Sequence, residues 1–288
     1  MGETYDGDGE MKVPSGAVRM RQPVFEIVAI GNELLIGRTL DTNSHWLAIQ
    51  IAKLGGELRQ KTTVRDKQNE IARAVRDSLM RRPDFLITLG GLGPTHDDIT
   101  LSSISRVLER RLVLNLQALH LLRERYLERF GPSVKLTRPR IKMARFPEGA
   151  EPLPNPVGTA PAPYLRIRGT RLIALPGVPK EMRAIFRKSV VKMVEDFGCT
   201  RRYYDESMLL LGIPESTLAP IIDEVMRKHR DIYIKSHPRG IEKDGRARIE
   251  LHFRTCGVSQ QAPKARLDRA LATMKRKLRG KATVRNAG

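Results

Sequence analysis

The chain predicts an α/β protein: a mostly parallel sheet covered by helices on both faces, followed by a second, smaller α+β unit. Three observations lead there. VFEIVAI (24–30) and DFLITLG (84–90) are short, continuously apolar runs, the pattern of strands buried on both faces. Around them, apolar residues recur at helical spacing, and strand alternating with helix is how parallel sheets are built. After residue 200 the order becomes strand, helix, strand, strand, helix, which suits one helical layer on a small sheet.

Each element has its own reason. The first strand lies between Pro23 and Gly31. A helix from Asp41 or Thr42 to Leu54 puts Trp46, Leu47, Ile51 and Leu54 on one stripe and stops at Gly55-Gly56. ELRQKTTV (57–64) reads as a second strand, and residues 67–81 as a helix with Ile71, Val75 and Leu79 inward. The third strand runs into a glycine turn and a helix expected from Asp97 to Arg110. Residues 115–146 read as helical and highly charged. The prolines of PEGAEPLPNPVGTAPAP (147–163) predict an irregular loop. YLRIRG and TRLIALPG (164–177) read as paired strands turning at Gly169-Thr170, and KEMRAIFRKSVVKMVEDFG (180–198) as an amphipathic helix ending at Gly198. In the second unit, YYDESMLLLGI and DIYIKSH read as strands, and RARIELHFR (246–254) alternates with Ala247, Ile249, Leu251 and Phe253 on one face. Helices are expected from Pro214 and over 261–279. The expected division is a tail at 1–22, a first domain at 23–199, a second at 200–283, and a tail at 284–288. The start, MGETYDGDGEMKVPSG, is acidic and Gly-rich, and residues 1–22 read as a disordered tail.

Composition narrows the chemistry. Lys and Arg number 52 against 32 acids, a net charge of +20. Such a field attracts phosphates without choosing among nucleotides, nucleic acid and anionic lipid. A hot habitat enriches charged surfaces too. Cys199 and Cys256 are far apart in sequence and form no CxxC, which argues against a zinc ribbon or disulfide framework and fits a reducing cytoplasm. No run approaches the roughly 18 apolar residues of a membrane helix, and the acidic start is unlike a signal peptide. A cytoplasmic location without membrane partners is the expectation.

Three loops leave the carboxyl ends of the expected strands: GNELLIGRTLDTN (31–43), VRDKQNE (64–70) and GGLGPTHDD (90–98). Open parallel sheets bind ligands at such ends. A glycine turn entering a helix exposes N–H groups that cradle phosphate. Carboxylates beside a phosphate make sense with a divalent cation between them, because Mg²⁺ takes one or two carboxylates plus phosphate oxygens. Each acid also has a plainer reading: Asp97 or Asp98 as a helix cap, Asp66 as the cap of the helix near Lys67 with Glu70 completing a box. His96 has no partner for a metal site.

The motifs GNELLIGRTLDTN, VRD, GGLGPTHDDIT, NPVGTAPA (155–162) and LPGVPKEM (175–182), in that order over roughly 24–198, closely resemble the competence/damage-inducible protein A (CinA) family. Its amino-terminal domain belongs to the molybdopterin-binding MoaB/Mog/MoeA superfamily. The resemblance implies a three-layer α/β/α domain, a KH-like module over 200–283, and a phosphorylated nucleotide or pterin as ligand. It implies metal-dependent hydrolysis of ADP-ribose- or FAD-like pyrophosphates, or molybdopterin binding and adenylylation as in Mog-type relatives. By analogy with those relatives, Asp66 and Asp98 are the catalytic acids. Glu33, Asp97 and Asp98 are assigned to the metal (Mg, Mn or Co). Gly31, Asn32, Gly90, Gly91, Gly93, Thr95, Asn155, Gly158, Thr159 and Gly177 are assigned to the ligand. Analogy favours a homodimer or higher homo-oligomer. The family's nicotinamide-nucleotide deamidase domain has no counterpart in the sequence, so that activity is not assigned. Ala162 departs from the family's glycine. A separate class of function, nucleic-acid binding by the basic KH-like unit, is motivated by the charge, but no GXXG loop follows residue 200.

Overall fold

The first strand, β1 (Val24–Ile30), is the strand around which the larger sheet is wound: its parallel neighbours β2 (Glu57–Val64) and β3 (Phe85–Leu89) lie on opposite sides of it. The computed structural model describes residues 22–197, 202–241, 245–257 and 261–286. After β1 come a short helix α1 (Asn32–Leu35) and α2 (Thr42–Lys53), whose first turn is capped by Asp41 accepting from the Ser44 N–H at 2.9 Å. Helix α3 (Gln68–Met80) joins β2 to β3, and α4 (Thr100–Val107) follows the glycine turn.

An excursion of β4 (Leu112–Leu114), α5 (Leu116–Phe130), α6 (Arg138–Lys142) and β5 (Arg145–Pro147) follows. Strands β6 (Glu151–Leu153), β7 (Ala162–Ile167) and β8 (Thr170–Leu175) then complete a sheet ordered β2-β1-β3-β8-β7-β6. β8 is parallel to β3, whereas β7 and β6 are antiparallel additions. The chain continues through α7 (Pro179–Ile185), a π-helical turn over Phe186–Val190 and α8 (Val191–Glu195).

Two cores separate the layers. On one face Phe25, Ile27, Phe85 and Ile87 pack against Leu47 and Ile51 of α2 and Met182, Ile185 and Phe186. On the other, Val28, Ile30 and Leu86 pack against Ile71 and Val75 of α3, Ile104 of α4 and Ala118 of α5. Alternate strand residues thus feed opposite helical layers, which is why these strands read as unbroken apolar runs.

The second unit is an antiparallel sheet ordered β10-β11-β9-β12, from β9 (Arg202–Leu211), β10 (Tyr233–Ile241), β11 (Ala247–Gly257) and β12 (Thr283–Asn286). Helices α9 (Glu215–Lys228) and α10 (Gln261–Leu278) supply its helical layer. Leu218, Ile222, Val225, Leu267 and Met274 close the core on Ile249, Leu251 and Phe253.

Several expectations are corrected. Residues 115–146 are not one helical stretch: α5 ends at Phe130, where Gly131 takes a left-handed φ of 80°, and Arg145–Pro147 is a strand. The proline-rich loop contains β6, and Pro152 is tolerated because β6 is the sheet's edge. The β7–β8 turn is Arg168-Gly169 rather than Gly169-Thr170, since Thr170 is already paired with Ile167. The expected tail at 284–288 includes most of β12, paired with β9 through Val284 and Leu210. Cys199, the Gly198 stop and nearly all of the expected tail at 1–22 lie outside the described residues. No helix among the described residues is long and apolar enough to cross a membrane.

Candidate functional site

Strand order reverses between β1 and β3, so the loops after these strands flank the crevice that such sheets use for ligands. The β3 loop is positioned by its glycines. Gly91 has φ 66°, and a Cβ there would sit 2.2 Å from Thr100 Oγ1, so the chain turns against the first residue of α4 only because no side chain intervenes. A Cβ on Gly93 would lie 2.5 Å from Asp98 Oδ2; the carboxylate rests directly on the glycine backbone.

The two aspartates do not cap α4. That helix starts at Thr100, its N-cap is Ile99, and no side chain bonds to its first turn. Asp98 instead folds back: its Oδ2 accepts from the Thr95 N–H at 2.8 Å and the Thr95 hydroxyl at 2.5 Å. The same hydroxyl lies 2.5 Å from Asp97 Oδ1, and this hydrogen bond holds the exposed Asp97 carboxyl below its ordinary range. Lys142 donates to the Thr95 carbonyl, tying α6 to the turn.

Asp98 lines a cleft of about 400 Å³ with Gly91, Gly93, Thr159, Gly177 and Glu181. An adjoining hollow of about 160 Å³, which shares Gly91, Gly93 and Asp98, adds His96, Lys142 and Arg145. The N–H groups of Gly91, Leu92 and Gly93 meet no protein acceptor among the described residues. Three N–H groups in a row without a protein acceptor, beside a cleft, form a ready anion cradle.

The remaining expected residues are placed as follows. Asp66 is not among the lining residues; its Oδ2 accepts from the Asn32 N–H at 2.7 Å, so it ties the β2 loop to the β1 loop and does not cap α3. Gly31 donates its N–H to Val64 O at 3.1 Å, part of the same junction. Gly90 donates to Leu175 O at 3.0 Å, and a Cβ on Gly177 would lie 3.6 Å from Gly90 Cα, which sets the β3 and β8 loops side by side. Asn43 holds the Gly177 carbonyl at 2.7 Å. Glu33 folds back over Gly31 and lies outside the cleft lining, as does Asp97. Glu33, Asp97 and Asp98 therefore do not form a metal cage, and no three His, Cys, Asp or Glu side chains among the described residues gather as one. The donor set fits a divalent ion only where a ligand supplies most of the oxygens.

Asn155 corrects another expectation. It is 4% exposed, and all four hydrogen-bonding positions of its amide are used internally. Its Oδ1 accepts from Gly158 N–H (2.7 Å) and Val157 N–H (3.2 Å), while its Nδ2 donates to Ala160 O (3.0 Å) and Glu181 Oε2 (2.6 Å). It shapes the loop that presents Thr159 and holds Glu181. Gly158 packs on Glu181, whose Oε2 would be 2.2 Å from a Cβ there. Arg125 binds the carbonyls of Pro156 and Gly158 from α5.

Glu181, Tyr126 and Met143 line the cleft without having been singled out. Glu181 sits inside LPGVPKEM, the only signal available for it. Tyr126 and Met143 carry no motif; they arrive through the α5–α6 excursion, with Tyr126 fixed by Phe130 and by Arg140 at 4.7 Å from its ring centre.

Residues 26–196 match the model of the probable molybdopterin binding domain family. The chain belongs to this family. A protein of Pyrobaculum calidifontis is 41% identical over 249 residues, covering 86% of this chain and 93% of its own length. One of Aeropyrum pernix is 44% identical over 216 residues, 75% and 79% of the two chains. Among solved structures, the CinA protein of unknown function from Thermoplasma acidophilum is 34% identical, with a TM-score of 0.55, covering 61% of this chain and 98% of its own. In this family member the GGLGP turn and the LPGVP segment line one cleft.

Proposed function

We propose that the cleft beside Asp98 binds the diphosphate of a nucleotide or pterin and that the protein hydrolyses it with a divalent ion. The observation that carries this reading is the row of three unpartnered N–H groups, Gly91 to Gly93, next to a carboxylate oriented by Thr95. The N–H groups receive phosphate oxygens, and Lys142 and Arg145 in the adjoining hollow offset further negative charge. Asp98, with Glu181 across the cleft, would hold Mg²⁺, Mn²⁺ or Co²⁺ together with those oxygens, and the ion would supply Lewis acidity to the phosphoryl group. Glu181 is kept in place by Asn155, and Asp98 by Thr95, so neither reorganises when a ligand enters. Hydrolysis adds one water across the P–O–P bond and yields two phosphate monoesters.

The test is a metal-by-substrate screen of the purified chain. Release of AMP from ADP-ribose or FAD with Mg²⁺, Mn²⁺ or Co²⁺ supports the reading; no monophosphate from any dinucleotide pyrophosphate refutes it. Formation of adenylylated pterin from ATP and molybdopterin would replace it with the Mog-type reaction.

A further inference from the structure

A second cleft, of about 610 Å³, lies at the opposite end of the larger sheet, where β3 and β8 begin. Its charged lining is Arg76, Arg82, Arg110, Arg166 and Arg168 against a single acid, Glu109. The whole chain carries 52 basic residues to 32 acids, so a ratio of five to one is a concentration beyond the average surface. The side chains of Arg76, Arg82, Arg166 and Arg168 make no ion pair or hydrogen bond among the described residues, and the Arg110 guanidinium bonds only the Glu148 carbonyl. By contrast Arg59, Arg81 and Arg111 nearby are paired with Glu26 or Glu148.

The backbone adds an independent observation. The three described non-glycine residues with left-handed φ are Arg82 (49°), Glu109 (52°) and Arg168 (45°), and all three line this cleft. They end α3, end α4 and turn the β7–β8 hairpin, positions where glycine is the easy choice. Keeping long charged side chains there, against local preference, is what a charged binding surface requires.

We propose that this arginine cleft binds the phosphate backbone of duplex nucleic acid without reading sequence. A cleft of one sign focuses its field, and guanidinium groups fit phosphate oxygens in pairs. Among the described residues no aromatic side chain lines the cleft, so they offer no platform for an unstacked base. The ligand it suits therefore presents phosphates and keeps its bases stacked. The site is independent of the diphosphate cleft at the other end of the sheet.

Fluorescence anisotropy with a labelled 20-base-pair duplex of arbitrary sequence tests this on the full chain. If the four unpaired arginines each meet one phosphate, the slope of log affinity against log salt includes a contribution of about −3.6, so this cleft alone weakens binding about 150-fold from 50 to 200 mM salt. The combined variant Arg82→Gly, Arg166→Gln, Arg168→Gly reduces the slope by about 2.7. Because glycine relieves two left-handed positions, its thermal midpoint stays at or above that of wild type, which separates lost binding from lost fold. Three results overturn the proposal: no duplex binding by wild type at 50 mM salt, an unchanged slope in the variant, or displacement of the duplex by micromolar inorganic pyrophosphate, which would mark a small-anion site.

Discussion

Asn155→Ala separates a residue that shapes the site from one that touches the ligand. Truncation removes four hydrogen bonds and strands the N–H groups of Val157 and Gly158, the Ala160 carbonyl and Glu181 Oε2. At about 1 kcal/mol for each bond, and with Glu181 able to turn to water in the cleft, the loss is about 3–4 kcal/mol. For a protein of this size that lowers the thermal midpoint by about 6–15 °C. Unfolding can be followed through Trp46, the single tryptophan, which packs edge-on to Phe186 with the guanidinium groups of Arg183 and Arg187 over its ring. A midpoint unchanged within a degree, accompanied by weaker ligand binding, would refute the reasoning and return Asn155 to the ligand.

Glu26 gives a pH-dependent test. Burial raises its pKa, but hydrogen bonds from Arg81 and Arg59, each reaching 2.6 Å, outweigh it and hold the carboxyl below its ordinary range. Its contribution is therefore present above pH about 4.5 and lost as pH falls through the depressed folded value. Glu26→Gln lowers stability at pH 7 by about 2 kcal/mol, discounted for the part-exposed arginines, and flattens the acid limb of a urea-midpoint profile. An equally steep acid limb in the variant would contradict this. Gly158→Ala would set a Cβ 2.2 Å from Glu181 Oε2 and 2.5 Å from Asn155 Nδ2, so it displaces both partners of that hydrogen bond, and the thermal midpoint falls together with ligand affinity measured by calorimetry; an unchanged midpoint would contradict this.

The central strands were legible because burial on both faces removes any polar alternation, leaving VFEIVAI and FLITL as plain apolar runs between punctuating residues. The edge was not: β6 is three residues long with a proline at its centre, a pattern that reads as loop until a neighbour pairs with it. β12 is hidden for the same reason, its partner β9 lying some seventy residues earlier. At the site, sequence placed Gly91, Gly93, Asp98, Thr159 and Gly177 together on one cleft. It could not show that Asp66 reaches across to the Asn32 N–H, that Asn155 spends its amide on its own loop, or that Glu181 and Tyr126 line the same cleft as Asp98. Each of those facts depends on which oxygen meets which N–H across separate loops, and composition and spacing carry no such information.

The most direct measurement is AMP release from ADP-ribose with Mg²⁺ by wild type, Asp98→Asn and Asp66→Asn under identical conditions. The cleft at Asp98 predicts that Asp98→Asn loses about 100-fold or more in rate, while Asp66→Asn, whose amide oxygen still accepts from the Asn32 N–H, stays close to wild type. Equal loss in both variants, or loss confined to Asp66→Asn, would contradict it.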